Sequence, residues 1–308
     1  MMPDGGRRTG SLVAKFRIPT LRLKSAEKKK NMIRNIPKTP DGVRKPKMVR
    51  LKVNVTYRCD RSCPNCNRAT ALCPSDGSDD VSPEYLKDML VGCRDMGVRF
   101  RSIWLTGGEP TMHPRFLEIV EVLDWYRKSY RRCQIRSYTY HRPQSHWMVE
   151  KAAAEFGLLV RDTQKASPQK QTFAAQMAPV DDPRIGPDAP YFKGCWNARK
   201  CGTCLDARGF WCCPIGAAVA RAFRIPPTIT RPEDYTDVNI MAQYGLVCRY
   251  CGYWSHNRPK DIGKFELSKS WRDAVEAWKP KRKGIITDPD TEALPRAVEG
   301  LGGPKTVT

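Results

Sequence analysis

Val49-Arg-Leu-Lys-Val-Asn-Val-Thr-Tyr-Arg-Cys59-Asp-Arg-Ser-Cys63-Pro-Asn-Cys66 is the stretch on which the reading turns. Residues 49–55 alternate apolar and polar side chains, the periodicity of a strand. Three cysteines at C-x-x-x-C-x-x-C spacing then fall in the loop that leaves its carboxyl end.

Working outward, Ser82-Pro83-Glu84 supplies a cap, a first-turn proline and an acidic residue, and Leu86, Met89, Leu90 and Cys93 form an apolar stripe that Gly97 ends. These are the signals of a helix. Residues 101–106 read as a second strand running into Gly107-Gly108-Glu109-Pro110, followed by helical spacing over 114–130. A strand over 134–140, a helix over 146–156 and a strand over 158–160 continue the series. Such alternation predicts an α/β fold with a parallel sheet and helical crossovers. Reactive groups in these folds gather at the carboxyl ends of strands, where both motifs lie.

Three thiolates leave one iron of a four-iron cubane without a cysteine, and an open metal position is where chemistry takes place. The triad, together with Thr-Gly-Gly-Glu-Pro-Thr-Met-His-Pro at 106–114, resembles the radical S-adenosylmethionine superfamily. The resemblance implies a partial (β/α) barrel and a catalytic 4Fe-4S cluster on Cys59, Cys63 and Cys66. It further implies that S-adenosylmethionine binds the open iron and is cleaved to a 5′-deoxyadenosyl radical that takes hydrogen from substrate. Gly107, Gly108, Glu109 and Pro110 would hold the methionine amino group, since glycines allow close backbone approach and a carboxylate accepts from an ammonium.

Two positions depart from the family pattern. Asn65 stands where a bulky residue usually packs beside the adenine, and Arg136-Ser-Tyr-Thr-Tyr140 replaces a Thr-Asn-Gly-like ribose contact. Ser137, with Thr139 as the alternative, is the expected ribose contact. Four strand-helix units are readable before residue 190, fewer than the family usually has. They imply either further units within 164–190 or a truncated barrel with a wide lateral opening suited to a large substrate, the reading preferred here.

A second cysteine group comprises Cys195, Cys201, Cys204, Cys212, Cys213, Cys248 and Cys251. Close pairs at C-x-x-C spacing hold zinc or an iron-sulfur cluster, and spacing alone does not separate the two. Residues 202–215 resemble the hairpin of the SPASM or Twitch accessory region, with Cys-Pro after its second strand. That resemblance implies one auxiliary 4Fe-4S cluster on Cys195, Cys204, Cys213 and one or both of Cys248 and Cys251. Cys201 and Cys212 are the alternative ligands, and zinc the alternative metal. Cys93 and Cys133 sit on apolar faces and read as core residues. Cys73 reads as a plain loop cysteine and His113 as a structural residue at the turn into the next helix.

The net charge of +22 is unevenly spread: residues 1–50 carry fifteen Lys or Arg against three acids. Such a segment reads as a solvated arm or as an electrostatic contact to nucleic acid, an acidic peptide or a reductase. No run approaches a membrane span and no apolar signal core is present. The odd count of thirteen cysteines, in metal-like spacings, points to a reduced, cytoplasmic setting rather than a disulfide scaffold.

The expected organisation is a basic arm over 1–48, a barrel over 49–190, a small cysteine-rich C-terminal accessory domain over 191–256, and a helical segment with a basic tail over 257–308. The expected function is a radical enzyme that modifies or oxidises a peptide or protein with help from the auxiliary cluster, served by an electron donor such as flavodoxin or ferredoxin. A small molecule, sugar or nucleoside is the second substrate class. A non-catalytic iron-sulfur or zinc protein that binds nucleic acid is the competing reading, although a purely structural site normally closes its coordination.

Overall fold

The computed structural model describes residues 50–63, 66–140, 142–163, 176–254 and 267–279. The basic arm at 1–48, Asn65, and the tail from residue 280 lie outside the described residues.

The first half follows the alternation read from sequence: β1 (Arg50–Thr56), α1 (Pro83–Asp95), β2 (Ser102–Gly107), α2 (Phe116–Ser129), β3 (Gln134–Thr139), α3 (His146–Phe156) and β4 (Leu159–Asp162). Adjacent strands pair in parallel, with Val53 opposite Leu105 and Leu105 opposite Ser137. The Ser82 hydroxyl accepts the Tyr85 N–H at 3.1 Å and so caps α1. Gly157, at φ +58°, ends α3 in the left-handed conformation that glycine adopts most readily. Cys93 and Cys133 are buried in the core.

The second half contributes α4 (Trp196–Cys201), β5 (Thr203–Asp206), β6 (Gly209–Trp211), α5 (Pro214–Ala222), α6 (Asp237–Val247) and α7 (Lys269–Glu276). β5 runs parallel to β1, and β6 pairs antiparallel with β5, giving the strand order β4-β3-β2-β1-β5-β6. The expected boundary at 190/191 therefore runs through a single sheet. Among the described residues the sheet also grows from the β1 side rather than beyond β4, giving six strands with β4 and β6 at the ends of the order. The described residues 176–190 add only a short 3-10 turn, Pro179–Asp181, and no further strand-helix unit. Among the described residues no helix is long and apolar enough to cross a membrane.

The two faces of the sheet follow from side-chain alternation. Leu51, Val53, Val55, Ile103, Leu105 and Ile135 share a core with Leu86, Leu90, Ile119 and Leu123 of α1 and α2. Lys52, Trp104, Arg136 and Tyr138 point the other way and are half-exposed.

The hairpin is anchored by Asp206, which is fully buried. Its carboxylate accepts from the Tyr57 hydroxyl at 3.1 Å, the Trp211 indole at 2.8 Å, and the Arg208 guanidinium and backbone at 2.7 and 2.9 Å. Asp206→Ala leaves these donors unpaired and is expected to cost about 3 kcal/mol. Urea unfolding monitored by far-UV circular dichroism checks this.

Candidate active site

The carboxyl ends of β1, β2 and β3 converge, and backbone hydrogen bonds tie the cysteine loop to the Gly-Gly-Glu-Pro turn. Gly108 N–H donates to the Thr56 carbonyl at 2.8 Å and Glu109 N–H to the Arg58 carbonyl at 2.9 Å. A Cβ on Gly107 would lie 2.1 Å from the Thr56 oxygen, at a φ of +125°, and one on Gly108 would lie 2.0 Å from the Arg58 oxygen. Both glycines are thus required by the approach of the cysteine loop itself. Pro110 opens the short 3-10 turn Pro110–Met112 and is buried.

Glu109 is 2% exposed and linked to β3. Its Oε1 accepts from Thr111 N–H at 3.2 Å, the Thr111 hydroxyl at 2.8 Å and the Thr139 hydroxyl at 2.7 Å, and its Oε2 accepts from Tyr140 N–H at 3.1 Å. Burial raises its pKa against these hydrogen bonds. A carboxylate offers about four acceptor sites, so Oε2 retains capacity for another donor while Oε1 is fully engaged.

Asp60, within the triad, accepts from the Tyr140 hydroxyl and from Arg142 Nε at 2.8 Å. The base of the loop is held by Thr56, whose hydroxyl donates to Asp80 at 2.6 Å, and by an Arg58–Asp80 ion pair at 3.2 Å. Its far side is held by Gln176, whose amide donates to the Cys66 carbonyl at 2.5 Å. Asp60, Tyr140, Arg142 and Gln176 had no periodic or spacing signal in the sequence. His113 accepts Arg115 N–H on Nδ1 and lies 2.9 Å from the Val81 carbonyl through Nε2, in keeping with a structural role.

Cys59, Cys63 and Cys66 share this loop. Burial, followed by the neighbouring Cys66 and then Cys63 thiols, raises the Cys59 pKa well above the ordinary thiol range. Among the described residues no group of three or more His, Cys, Asp or Glu side chains is assembled as a metal-ligand shell. The chemistry of the donor set nevertheless fits a cluster with an open position: three soft thiols in one loop at a strand end, with Cys59 in the field of the other two. Ser137 is fully buried in the row of Val53 and Leu105, on the core face. It does not line the strand-end loops.

The second cysteine group is more buried. Cys195 and Cys213 cap α4 and α5, their sulfurs accepting from Ala198 N–H at 3.4 Å and Gly216 N–H at 3.1 Å. A hydrogen bond from Cys212 outweighs burial and holds the Cys213 thiol below its ordinary pKa. Burial raises Cys195 to about 11, with Cys213 adding to the shift. Burial likewise raises Cys248 and Cys251, each in the field of Cys195 and Cys213. These four thiols are mutual neighbours. Cys204, on β5, instead faces Asp206 and Arg68 as well as Cys213, and Cys201 faces Lys52 and Cys213.

Arg68, two residues after Cys66 in the chain, acts electrostatically on Cys201, Cys204 and Cys213. It is 8% exposed and donates to Asn54 and Thr106 at 3.2 Å each.

No protein-family model matches the chain. Over 84 residues it is 37% identical to the probable GTP 3′,8-cyclase of Methanothermobacter marburgensis, a stretch covering 27% of this chain and 26% of that protein. The chain thus matches about a quarter of the length of this curated relative. The solved structure of BtrN in an open conformation aligns over 69% of this chain and 89% of its own, at 13% identity and a TM-score of 0.39.

Proposed function

We propose that this chain is a radical S-adenosylmethionine enzyme that removes a hydrogen atom from its substrate. The observation that carries the reading is the backbone tie from the cysteine loop to Gly108 and Glu109. It sets three thiols and a buried carboxylate around the same strand ends. Cys59, Cys63 and Cys66 would hold a 4Fe-4S cluster, and Glu109 Oε2 and the Gly-Gly-Glu-Pro backbone would face the methionine end of S-adenosylmethionine. When bound, the cluster supplies the electron that cleaves the sulfonium.

The chain's own contribution is positional. Asp60, Tyr140 and Arg142 fix the loop against β3, while Thr111 and Thr139 hold the Glu109 carboxylate in one orientation. Ser137, with Thr139 on the same side of β3, is kept as the ribose contact. Cys195, Cys213, Cys248 and Cys251 are the set favoured for an auxiliary 4Fe-4S cluster or a zinc ion, with Cys204 and Cys201 at its margin. A flavodoxin or ferredoxin would deliver the electron.

Of the finer readings, peptide modification draws on the basic arm, which lies outside the described residues, and on the accessory resemblance. The small-molecule and nucleoside reading is favoured by a described surface, taken up below.

Anaerobic reconstitution with iron and sulfide, reduction, and chromatography for 5′-deoxyadenosine and methionine tests the proposal. Both products should form in equal amounts and only with reductant. A protein carrying a full iron complement that yields neither would refute it.

A further inference from the structure

The face of the sheet opposite the helices carries cations and aromatic rings that the site described above does not use. Lys52, Trp104 and Arg136 form one row across β1, β2 and β3, and Tyr138 and Arg161 form a second across β3 and β4. The Trp104 and Tyr138 rings stack at 4.8 Å with 26° between their planes. Arg136 lies over Trp104 at 4.8 Å, Arg161 over Tyr138 at 5.5 Å, and Lys52 is 5.7 and 5.1 Å from the two rings.

Among the described residues none of Lys52, Arg136 and Arg161 forms an ion pair with a carboxylate. Arg136 spends one donor on the Gln134 amide oxygen at 2.6 Å, and its Nε is buried without a hydrogen-bond partner. Burial, with Arg50 and Arg161 as nearby cations, lowers the Arg136 pKa. Cations gathered without counter-charge on stacked aromatic rings are complementary to an anion that carries a planar group. The Asn54 end of the face is covered by Arg68 and by the Pro214 carbonyl at the start of α5, which leaves the half-exposed part over β2–β4. That part spans roughly 10 Å across the strands, the size of a mononucleotide rather than of a nucleic-acid helix. Trp104 precedes Gly107 by three residues, roughly 10 Å along the strand.

We propose that the open face of β2–β4 binds the phosphates and the planar base of a nucleotide substrate, a proposal that rests on the radical-enzyme reading. Arg136 and Lys52 would take the phosphates, and Trp104 with Tyr138 would form the wall that the base covers.

The test is fluorescence anisotropy of mant-labelled ATP and GTP on the full chain, with no reductant and no S-adenosylmethionine. Unlabelled nucleoside triphosphate, nucleoside, inorganic tripolyphosphate and a polyglutamate peptide serve as competitors. The triphosphate should compete better than the nucleoside or tripolyphosphate alone, and Arg136→Gln should weaken binding about tenfold. Arg161 is exposed on an edge strand, so Arg161→Gln is tolerated by the fold and should weaken binding about threefold.

Absence of saturable binding at ~1 mM nucleotide would overturn the proposal. Binding unmoved by both substitutions would also overturn it and assign the affinity to bulk basic charge, and a peptide that competes as well as nucleotide would replace the nucleotide with an acidic peptide. Because binding is read without radical chemistry, the two readings fail separately. A chain that forms 5′-deoxyadenosine but binds no nucleotide loses only this proposal, and one that binds nucleotide but cleaves nothing loses the radical reading.

Discussion

Cys59→Ala, Cys63→Ala and Cys66→Ala should each reduce S-adenosylmethionine cleavage to the reagent background. The loop carries three thiols, with Cys59 in the field of both Cys66 and Cys63, and among the described residues no group of three or more His, Cys, Asp or Glu is assembled as a metal-ligand shell. Two thiolates leave two irons of a cubane without protein ligands, so each substitution removes the cluster rather than tuning it. The comparison that gives this meaning is Cys93→Ala. That thiol is 1% exposed in the core, away from the loop, and its loss should cost about 1 kcal/mol of stability while iron content stays at the wild-type value. The check is 5′-deoxyadenosine yield together with iron per chain in all four variants. Retained cleavage in any of the three loop variants would remove that cysteine from the site.

Gly108→Ala should be among the most damaging single methyl groups that can be added to the chain near this site. Its Cβ would meet the Arg58 carbonyl at 2.0 Å from oxygen and 2.7 Å from carbon, and the Tyr57 carbonyl carbon at 3.0 Å. All three are backbone atoms, so no side chain can swing aside, and the hydrogen bond from Glu109 to Arg58 must break as the strands separate. The expected cost is about 3 kcal/mol or more, or a fall of roughly 6–12 °C in Tm. The cysteine loop would splay with it, so iron retention should fall as well. Gly97→Ala is the control: Gly97 also has positive φ, +78°, but a Cβ there meets nothing within 4 Å. It should cost only about 1 kcal/mol, the backbone penalty alone, and keep its iron. Differential scanning calorimetry and iron analysis of the two variants separate the close-approach role from a plain turn.

The parallel half of the fold was legible because its signals are local. Alternation marked β1, strand-like runs between the helical stretches marked β2 to β4, and Ser82 with Pro83 marked the start of α1 where its cap is found. The place of β5 was not legible. Its four residues are all buried, which erases alternation, and its partner in β1 lies about 150 residues earlier in the chain. The pairing of β5 with β1 across residue 190 carried no local signal for that reason.

At the site, the cysteine triad and Gly-Gly-Glu-Pro were readable from spacing, but the glycines' purpose was not. Their contact is with the carbonyls of Thr56 and Arg58, which only the folded chain brings near. The face of Ser137 could have been read: Ile135, Ser137 and Thr139 share one side by simple alternation, and Ile135 belongs to the core. Arg68, which donates to Asn54 and Thr106, carries no sequence signal because those partners sit on different strands.

The most direct test of the strand-end site is electron paramagnetic resonance of the anaerobically reconstituted, reduced protein with and without S-adenosylmethionine, with iron and zinc counted in the same samples. A 4Fe-4S signal that S-adenosylmethionine perturbs, and that disappears in the Cys59, Cys63 and Cys66 triple variant, is the predicted result. About four irons surviving in that variant would assign a second cluster to the Cys195–Cys251 region, and zinc there would make that region a structural knuckle. A signal indifferent to S-adenosylmethionine, or one that persists unchanged in the triple variant, would contradict the account.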